Sequence, residues 1–387
     1  MPTTHTLFAD YEVQPDAYDE FWLGNGRFQP HWQPYINALQ QHDLAQINQD
    51  IQHLLQDNGV TYNVHGDPGR QPRPWRLDVA PLIMSEADWA TIEAGIQQRA
   101  TLLNLILADL YGAQTLISQG FIPPELIYMH DGYLRPCLNM PPTGKLLTLY
   151  AADLGRGPDN RMWVLGDRTQ APSGMGYALE NRTVMTRVLS QMFSDGKIRR
   201  LSSFFRQFQS SLIQLTPAND APQVVVLTPG PFNETYFEHA YLASYLGYSL
   251  VQGSDLTVSD GQVWLKTIEG LRPVDVILRR VDDSFCDPLE LRSYSQLGVA
   301  GLLETVRRQK TAVANPLGSG VLENPGLLPF MPNLARYFLN EDLILPTAAT
   351  WWCGQPLELD FVLNNLPNLI IKRIARSANY QTIFGSQ

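Results

Sequence analysis

Residues 153–182 read DLGRGPDNRMWVLGDRTQAPSGMGYALENR and form the densest cluster of charged and small residues in the chain. The run RMWVLGD and the preceding run LLTLYAAD are β-prone, and the LGRGPDN segment between them consists mostly of turn formers. The pattern therefore predicts a β-hairpin. A helix is expected to follow, from Glu180 to about Leu215.

Two aspartates of this hairpin are candidate metal ligands. A turn near Asn160 would place Asp153 and Asp167 almost opposite each other, with Cβ atoms about 4.5–5.5 Å apart. Two carboxylates at that distance can share a divalent ion, and oxygen ligands suit Mg²⁺. The alternative is that each aspartate forms an ion pair with Arg156 or Arg168, and spacing alone slightly favours this alternative.

Polar residues also crowd the glycine-containing loop and helix start that follow the hairpin. Backbone N–H groups and arginine side chains are what an anionic carboxylate or phosphoryl group requires. A tight loop in which Ser173 caps a helix and the arginines lie on the surface would have the same sequence. The residues concerned are Arg168, Gln170, Ser173, Gly174, Asn181 and Arg182.

Upstream of the hairpin, apolar spacing predicts helices. Tyr35–Leu55 has helical spacing from Leu44 onward. Ser85–Gly120 begins with acceptors suited to a helix N-terminus, keeps its apolar residues on one face, and is expected to break at Gly112 and Gly120. Both segments are interpreted as scaffold without a chemical role.

From Pro222 onward the chain alternates short apolar strands with helices, which favours a parallel α/β sheet. The TPANDAP segment before it is a candidate linker. The predicted strands are VVVL (224–227), Ser249–Gln252, Val274–Arg279 and TAVA (311–314), and the predicted helices are Glu234–Leu246 and about Gln296–Gln309.

Two groups of residues follow predicted strands of this sheet, where α/β folds bind ligands. Arg279 and Arg280 begin the group RRVDD, which has a solvated turn with compensating charges as its alternative. In NPLGSG (315–320), Gly318 and Gly320, on either side of Ser319, allow close backbone approach. This loop lacks the Gly-Lys-Ser/Thr ending of a Walker A motif.

Near the end of the chain, NLIIKRI places Lys372 in an apolar strand. Burying an ammonium group is costly unless it is paired, so a nucleotide phosphate would account for this lysine. For an isolated lysine, extension to solvent from an edge strand is the favoured alternative.

Composition and charge exclude several classes of protein. The net charge of −10 argues against general nucleic-acid binding, which depends on clustered Lys and Arg. The sequence has no N-terminal signal pattern and no long apolar run, so we expect a soluble, cytoplasmic protein without a membrane partner. Three widely spaced cysteines indicate reduced thiols rather than a disulfide framework or a zinc site.

Several long stretches, taken in order, resemble the circularly permuted type 2 ATP-grasp family. That family is distantly similar to glutathionylspermidine synthetases and is often found with alpha-E and transglutaminase-like partner proteins. The stretches are QRATLLNLILADLYG, the hairpin segment quoted above, VDVILRRVDDSFCDPLEL, NPLGSGVLENP and TWWCGQPLELDFVLNNLPNLIIK.

The resemblance implies a mixed α/β fold that is circularly permuted and ATP-grasp-like. Residues 1–120 would form an N-terminal helical region and residues 121–220 a permuted ATP-grasp portion with the hairpin. Residues 221–345 would be a pre-ATP-grasp α/β domain, and residues 346–387 the start of a nucleotide-binding subdomain.

The resemblance also implies an ATP-dependent ligase that joins a small-molecule or peptide carboxylate to an amine through an acylphosphate, with ATP and Mg²⁺. Asp153 and Asp167 would fall at metal positions and Lys372 at the first nucleotide-contacting lysine. Arg168 and Arg182 would act in catalysis. The substrate would contact Ser173, Gly174, Asn181, Arg279, Arg280, Gly318 and Ser319.

Two departures from the family pattern bear on these roles. Related members often have Glu-Asp-Asn where this chain has Gly166-Asp167-Arg168, so a positive charge replaces a ligand at the metal position. The chain also stops at Gln387, whereas the family continues with further strands of the nucleotide site, so we expect an incomplete site. The alternative function is an inactive ATP-grasp-like scaffold that binds a peptide or a partner protein.

Overall fold

The computed structural model describes residues 11–24, 27–62, 73–140, 146–216, 219, 221–374 and 382–386. Its helices and strands form the expected mixed α/β fold. The helices are α1 (Gln33–Gln41), α2 (Leu44–Asp57), α3 (Glu86–Tyr111), α4 (Thr115–Ser118), α5 (Pro124–Tyr128), α6 (Met175–Val188), α7 (Ser190–Asp195), α8 (Ser202–Ile213), α9 (Tyr236–Leu246), α10 (Leu302–Arg307), α11 (Met331–Leu339) and α12 (Pro356–Asn365).

The strands belong to one parallel sheet and several small antiparallel pairs or sheets. They are β1 (Trp22–Gly24), β2 (Arg27–Phe28), β3 (Thr61–Tyr62), β4 (Arg73–Pro74), β5 (Ala151–Arg156), β6 (Met162–Arg168), β7 (Val224–Leu227), β8 (Ser249–Val251), β9 (Leu256–Ser259), β10 (Gln262–Thr267), β11 (Gly270–Val274), β12 (Val276–Arg279), β13 (Ala312–Ala314), β14 (Ile370–Ile371) and β15 (Ile383–Phe384).

The long helix α3 is the scaffold element that the sequence predicted best. Ser85 caps it by accepting a hydrogen bond from the Asp88 N–H at 3.1 Å, and the helix ends at Gly112. Its buried face includes Leu103, Ile106 and other apolar residues that pack against α4, α5 and α11. Arg99 also lies on this buried face, and its charged side chain connects the helix to the hairpin.

The parallel sheet has the order β13-β12-β7-β8, and all of its pairings are parallel, as the alternating pattern predicted. Successive side chains of a strand point to opposite faces. Val225 and Leu227 therefore enter one core with α10, whereas Val224 and Val226 enter another with α8 and α9. The sheet is buried on both faces, which explains its continuous apolar strands.

Two predictions of local structure are wrong in extent, and one sheet was not predicted at all. The helix expected from Glu180 to Leu215 is instead α6, α7 and α8, beginning at Met175. The helix expected over Gln296–Gln309 is only α10. The three-stranded antiparallel sheet β9-β10-β11 was not foreseen, although Asp260-Gly261 in its first turn is a typical hairpin pair.

The sequence also predicted that no segment spans a membrane and that the cysteines are not joined in disulfides. None of the helices in the described ranges is both long and apolar enough to cross a bilayer. The three cysteines are free thiols; Cys137 and Cys286 are buried and Cys353 is exposed.

The close approach of Gly298 to a neighbouring loop gives a test of this packing. A Cβ atom at Gly298 would lie 2.1 Å from the Cys286 carbonyl oxygen and 2.4 Å from that of Phe285. Because backbone atoms cannot easily yield, Gly298→Ala is expected to lower the free energy of unfolding by about 1–3 kcal/mol. Urea denaturation measures this change. The control Gln296→Ala, at an exposed position, should stay within about 0.5 kcal/mol of the parent protein.

Candidate functional site

The hairpin has a different register from the one the sequence suggested. Asp153 pairs with Gly166, and Asp167 pairs with Ala152. The turn closes with a hydrogen bond from the Gly157 N–H to the Arg161 carbonyl at 2.8 Å, and the register shifts once between Asp153 and Leu154. A one-residue difference in register moves a side chain to the other face of the ribbon, so the two aspartates face opposite sides.

Asp167 lies on the buried face and is ion-paired with helix α3. Arg99 donates from Nε to Oδ1 at 2.6 Å and from Nη2 to Oδ2 at 2.7 Å. The Tyr150 hydroxyl donates to Oδ1 at 2.6 Å. The exposed fraction is only 1% for the Arg99 side chain and 4% for that of Asp167. This bidentate pair therefore uses both carboxylate oxygens of Asp167 inside the protein.

Asp153 lies on the outer face with Arg168. Arg168 Nη2 donates to Asp153 Oδ2 at 2.7 Å, and both side chains are nearly half exposed. The ion-pair alternative is thus correct for Asp153 and Arg168. It is wrong for Arg156, which pairs with Glu20 and Asp88.

The described residues do not fit a Mg²⁺ site at the predicted position. Asp153 and Asp167 face opposite sides of the hairpin, and the Arg99 guanidinium already neutralises Asp167. Within the described ranges, no group of three or more His, Cys, Asp and Glu side chains is arranged to hold a metal ion. The prediction that Asp153 and Asp167 share a metal is wrong because of the register.

The start of helix α6 was predicted to bind an anion, and a carboxylate of the protein already lies there. Gly174, with φ of 112°, precedes the helix, and Ser173 is exposed and does not cap it. The Gly174 N–H donates to Glu238 Oε2 at 2.6 Å, and Gly176 and Tyr177 donate to the same carboxylate. The N–H groups at this helix start therefore bind an internal carboxylate, that of Glu238 in helix α9.

Arg280 completes this buried cluster. Its Nη2 lies 3.3 Å from Glu238 Oε1, and both side chains are almost fully buried. Burial raises the pKa of the Glu238 carboxyl, and the Arg280 charge acts in the opposite direction. Arg280 therefore neutralises an internal carboxylate and does not face an open substrate pocket.

His239 neighbours the same cluster. Its ring nitrogens lie 2.9 Å from the Thr228 hydroxyl and 3.1 Å from the Thr235 hydroxyl. Burial, together with the Arg280 charge, lowers the pKa of His239 to about 2. The imidazole is consequently neutral at every pH at which the protein is expected to function.

Asn181 and Arg182 lie further along α6. Asn181 accepts a hydrogen bond from the Trp75 indole at 2.9 Å. Arg182 donates to the Arg199 carbonyl at 2.7 Å and lies 5.6 Å from the centre of the Phe193 ring. Partial burial lowers the pKa of Arg182. These contacts give both residues structural partners.

Arg279, Gly318 and Ser319 do come together, in a buried junction. Arg279 donates to the carbonyls of Asn315 and Pro316, and to Ser319 Oγ at 3.0 Å. The backbone of the NPLGSG loop is therefore held against the end of β12. The side chain of Arg279 is 1% exposed, so the solvated-turn interpretation is wrong here.

Asp283 occupies the other side of this junction. Its Oδ2 accepts from the N–H groups of Gly318 and Gly320 at 3.2 and 3.3 Å, and its Oδ1 accepts from Ser284 N at 2.8 Å. Burial raises the pKa of Asp283, whereas the Arg279 charge lowers it. The glycine loop thus binds a carboxylate from its own chain.

Lys372 lies near the end of the chain, directly after strand β14. β14 comprises only Ile370–Ile371, and Lys372 follows it as an exposed residue. The expectation of a buried strand lysine is therefore wrong, and the solvent-exposed alternative is correct. One exposed cation does not make a nucleotide pocket by itself, and Ala375–Gln381 lie outside the described residues.

Residues 81–387 match the family described as circularly permuted ATP-grasp type 2. This chain belongs to that family. The resemblance inferred from the sequence motifs is confirmed, together with the mixed α/β class. The hairpin, the parallel sheet and the NPLGSG loop all lie within the matched ATP-grasp region.

Relatives of the ATP-grasp chain occur in several bacteria. An uncharacterised protein of Mycobacterium tuberculosis is 41% identical over 381 residues, which cover 95% of this chain and 43% of that protein. An uncharacterised protein of Synechocystis sp. is 36% identical over 373 residues, covering 95% of this chain and 78% of that protein. The chain spans less than half the length of the mycobacterial protein.

Among solved structures, this ATP-grasp chain is similar to a glutathione synthetase-like effector from Globodera pallida, determined in its apo form. The TM-score is 0.49 and the sequence identity 14%, over 77% of this chain and 69% of the effector.

Sequence reasoning missed the internal partners of the predicted site residues. Arg99 interrupts the apolar face of α3 at the spacing Ile92, Gly95, Arg99, Leu102, which was a readable signal of a buried charge. Glu238 gave no such signal, because its partners lie at the start of α6 and at Arg280, directly after β12, both distant in sequence.

The two aspartates of the hairpin should differ sharply in their effect on stability. Asp167→Asn breaks a buried, bidentate ion pair and leaves Arg99 without a counter-charge, so we expect the free energy of unfolding to fall by about 3–5 kcal/mol. Asp153→Asn breaks an exposed pair and should cost less than about 1 kcal/mol. Chemical denaturation of both variants measures the difference, and equal losses would contradict the register described here.

His239 gives a pH-dependent prediction. In the folded protein the pKa of His239 is about 2, so its imidazole stays neutral as the pH falls. In the unfolded chain the same imidazole is protonated below about pH 6.5. The contribution of His239 to the free energy of unfolding is therefore present above pH 6.5 and decreases as the pH falls. Between pH 7 and pH 5 the decrease is about 2 kcal/mol. His239→Gln should remove that part of the slope, measured by denaturation at both pH values. The exposed His53→Gln is the control, and an unchanged slope in His239→Gln would refute the assignment.

Proposed function

We propose that this protein is an ATP-dependent ligase that joins a carboxylate to an amine, acting through an acylphosphate. The observation that carries the proposal is the match to the circularly permuted ATP-grasp type 2 family over residues 81–387. ATP-grasp proteins generally bind ATP and Mg²⁺, and their family suggests ATP-dependent ligase activity.

In such a reaction the terminal phosphoryl group of ATP moves to a carboxylate oxygen and ADP leaves. The amine nitrogen then attacks the acyl carbon, inorganic phosphate leaves, and the amine loses a proton to solvent. Charge stabilisation by fixed cations supplies most of the catalysis in phosphoryl transfer, and a protein nucleophile is not required. The proposed protein contribution is therefore a set of accessible cations.

Arg168 and Lys372 are the accessible cations among the predicted site residues. Arg168 is 45% exposed beside Asp153 on the outer face of the hairpin, and Lys372 is exposed after β14. Arg279 and Arg280 are buried against internal partners, which makes them supports of the fold in this proposal. No step is assigned to Mg²⁺, because the described carboxylates do not fit it.

A second candidate function is an inactive ATP-grasp-like scaffold that binds a peptide or a partner protein, such as an alpha-E or transglutaminase-like protein. The ion pair between Arg99 and Asp167 favours it, since a fixed cation occupies the carboxylate predicted to hold metal. In this candidate, too, the accessible surface would carry the function.

Nucleotide binding separates the two candidates. For a ligase we expect Mg-ATP to raise the melting temperature, and Lys372→Ala to weaken ATP binding at least about tenfold by removing a charge-assisted contact. Lys310→Ala, an exposed lysine after α10, is the matched control. Release of ADP on addition of amino-acid mixtures then measures turnover.

If this protein does not bind Mg-ATP, the same measurements on the Synechocystis relative are needed to choose between the two candidates. The absence of Mg-ATP binding in both proteins would contradict the ligase proposal and favour the scaffold. Binding that Lys372→Ala leaves unchanged would remove Lys372 from the proposed nucleotide site.

A further inference from the structure

A pocket of 280 Å³, which none of the predicted site residues lines, lies between the chain around Asp131–Pro136 and the loop Ser284–Arg292. We call it the charged pocket. Its volume lies just below the roughly 300–1,000 Å³ of sites for drug-sized ligands, so it suits a ligand of amino-acid size better than a nucleotide. Its polar lining residues are Asp131, Tyr133, Arg135, Ser284, Glu290 and Arg292.

Three of these residues carry charges without an oppositely charged partner among the described residues. Within the described part of the chain, Asp131, Arg135 and Arg292 form no ion pair, whereas Arg307 neutralises Glu290 through two hydrogen bonds of 2.7 and 2.5 Å. The charged pocket therefore presents two open positive charges and one open negative charge.

Arg292 is held in a defined orientation. Its guanidinium carbon lies 4.2 Å from the centre of the Phe285 ring, and Nη1 donates to the Tyr294 hydroxyl at 3.1 Å. Stacking on an aromatic ring restrains the guanidinium plane while leaving other N–H groups free to bind a carboxylate. A pre-oriented arginine loses little entropy on binding an anion.

The walls of the charged pocket are also fixed. Arg307 donates to the Pro136 carbonyl at 2.9 Å and thereby links the two sides through Glu290. The Tyr133 ring stacks on that of Tyr111 with centres 5.2 Å apart. A site with fixed walls binds a small ligand without first having to close around it.

We propose that the charged pocket binds an acidic α-amino acid. Its two carboxylates would pair with Arg135 and Arg292, and its ammonium group with Asp131, so that each open charge meets its opposite. Ser284 adds a hydroxyl group at the same surface. The inference rests on the proposed ligase only in calling this amino acid a substrate, since binding is measured without ATP.

Isothermal titration with L-glutamate, in the absence of nucleotide, tests the proposal on the whole chain. Arg292→Gln should weaken glutamate binding at least about tenfold, since it removes a charge-assisted contact. Arg292→Lys retains the charge without the planar fork and should give an intermediate loss. Arg272→Gln, an exposed arginine on β11, is the matched control and should bind as the parent protein does.

Glutarate and Asp131→Asn test the ammonium contact. Glutarate has both carboxylates without the ammonium group, so it should bind more weakly than glutamate, and Asp131→Asn should weaken glutamate alone. The proposal is overturned if the parent protein does not bind L-glutamate, if Arg292→Gln binds it equally well, or if glutarate binds as tightly. Failure of these tests leaves ATP binding unaffected, so it is distinguishable from failure of the ligase proposal.

Discussion

The buried ion pair between Arg99 and Asp167 joins the longest helix of the protein to the hairpin. Neither charge could remain in the interior alone, because the cost of removing an ion from water is several kcal/mol. The bidentate geometry and the Tyr150 hydroxyl compensate for that cost. The orientation of the hairpin, and with it the division between its buried and exposed charges, depends on this pair.

Two other buried clusters also place an arginine beside a carboxylate of the same chain. Glu238 neutralises Arg280 while accepting the N–H groups at the start of α6. Asp283 accepts the N–H groups of the glycine loop beside Arg279. Features that usually attract ligand anions thus bind carboxylates of the chain itself, and they hold the parallel sheet, the hairpin and the following helix together. Solvent-accessible charge remains, among other places, in the exposed pair of Arg168 and Asp153, at Lys372 and in the charged pocket.

Local patterns were sufficient for much of the fold. The cap at Ser85, the break at Gly112 and the apolar runs of β7 and β12 are properties of neighbouring residues, and all were predicted from the sequence. The hairpin was also predicted, but its register depends on the closing pair of the turn and on a one-residue irregularity. That single residue separates a shared metal site from two independent ion pairs.

The site was less predictable than the fold, because the side chains that pair with the site residues are distant from them in sequence. Arg99 lies 68 residues from Asp167, and Arg280 lies 42 residues from Glu238. A sequence pattern identifies residue types suited to binding an anion or a metal, but it does not show whether another part of the chain already satisfies them. The family motifs pointed to the ATP-grasp family, and the match over residues 81–387 confirms it.

A double-mutant cycle on Arg99→Leu and Asp167→Leu, with and without Mg²⁺, tests most directly that Asp167 is committed to an internal ion pair. The free energies of unfolding should give a coupling energy of at least about 2 kcal/mol, with the same value in both conditions. A coupling near zero, or an Arg99→Leu variant whose stability Mg²⁺ restores, would contradict the account.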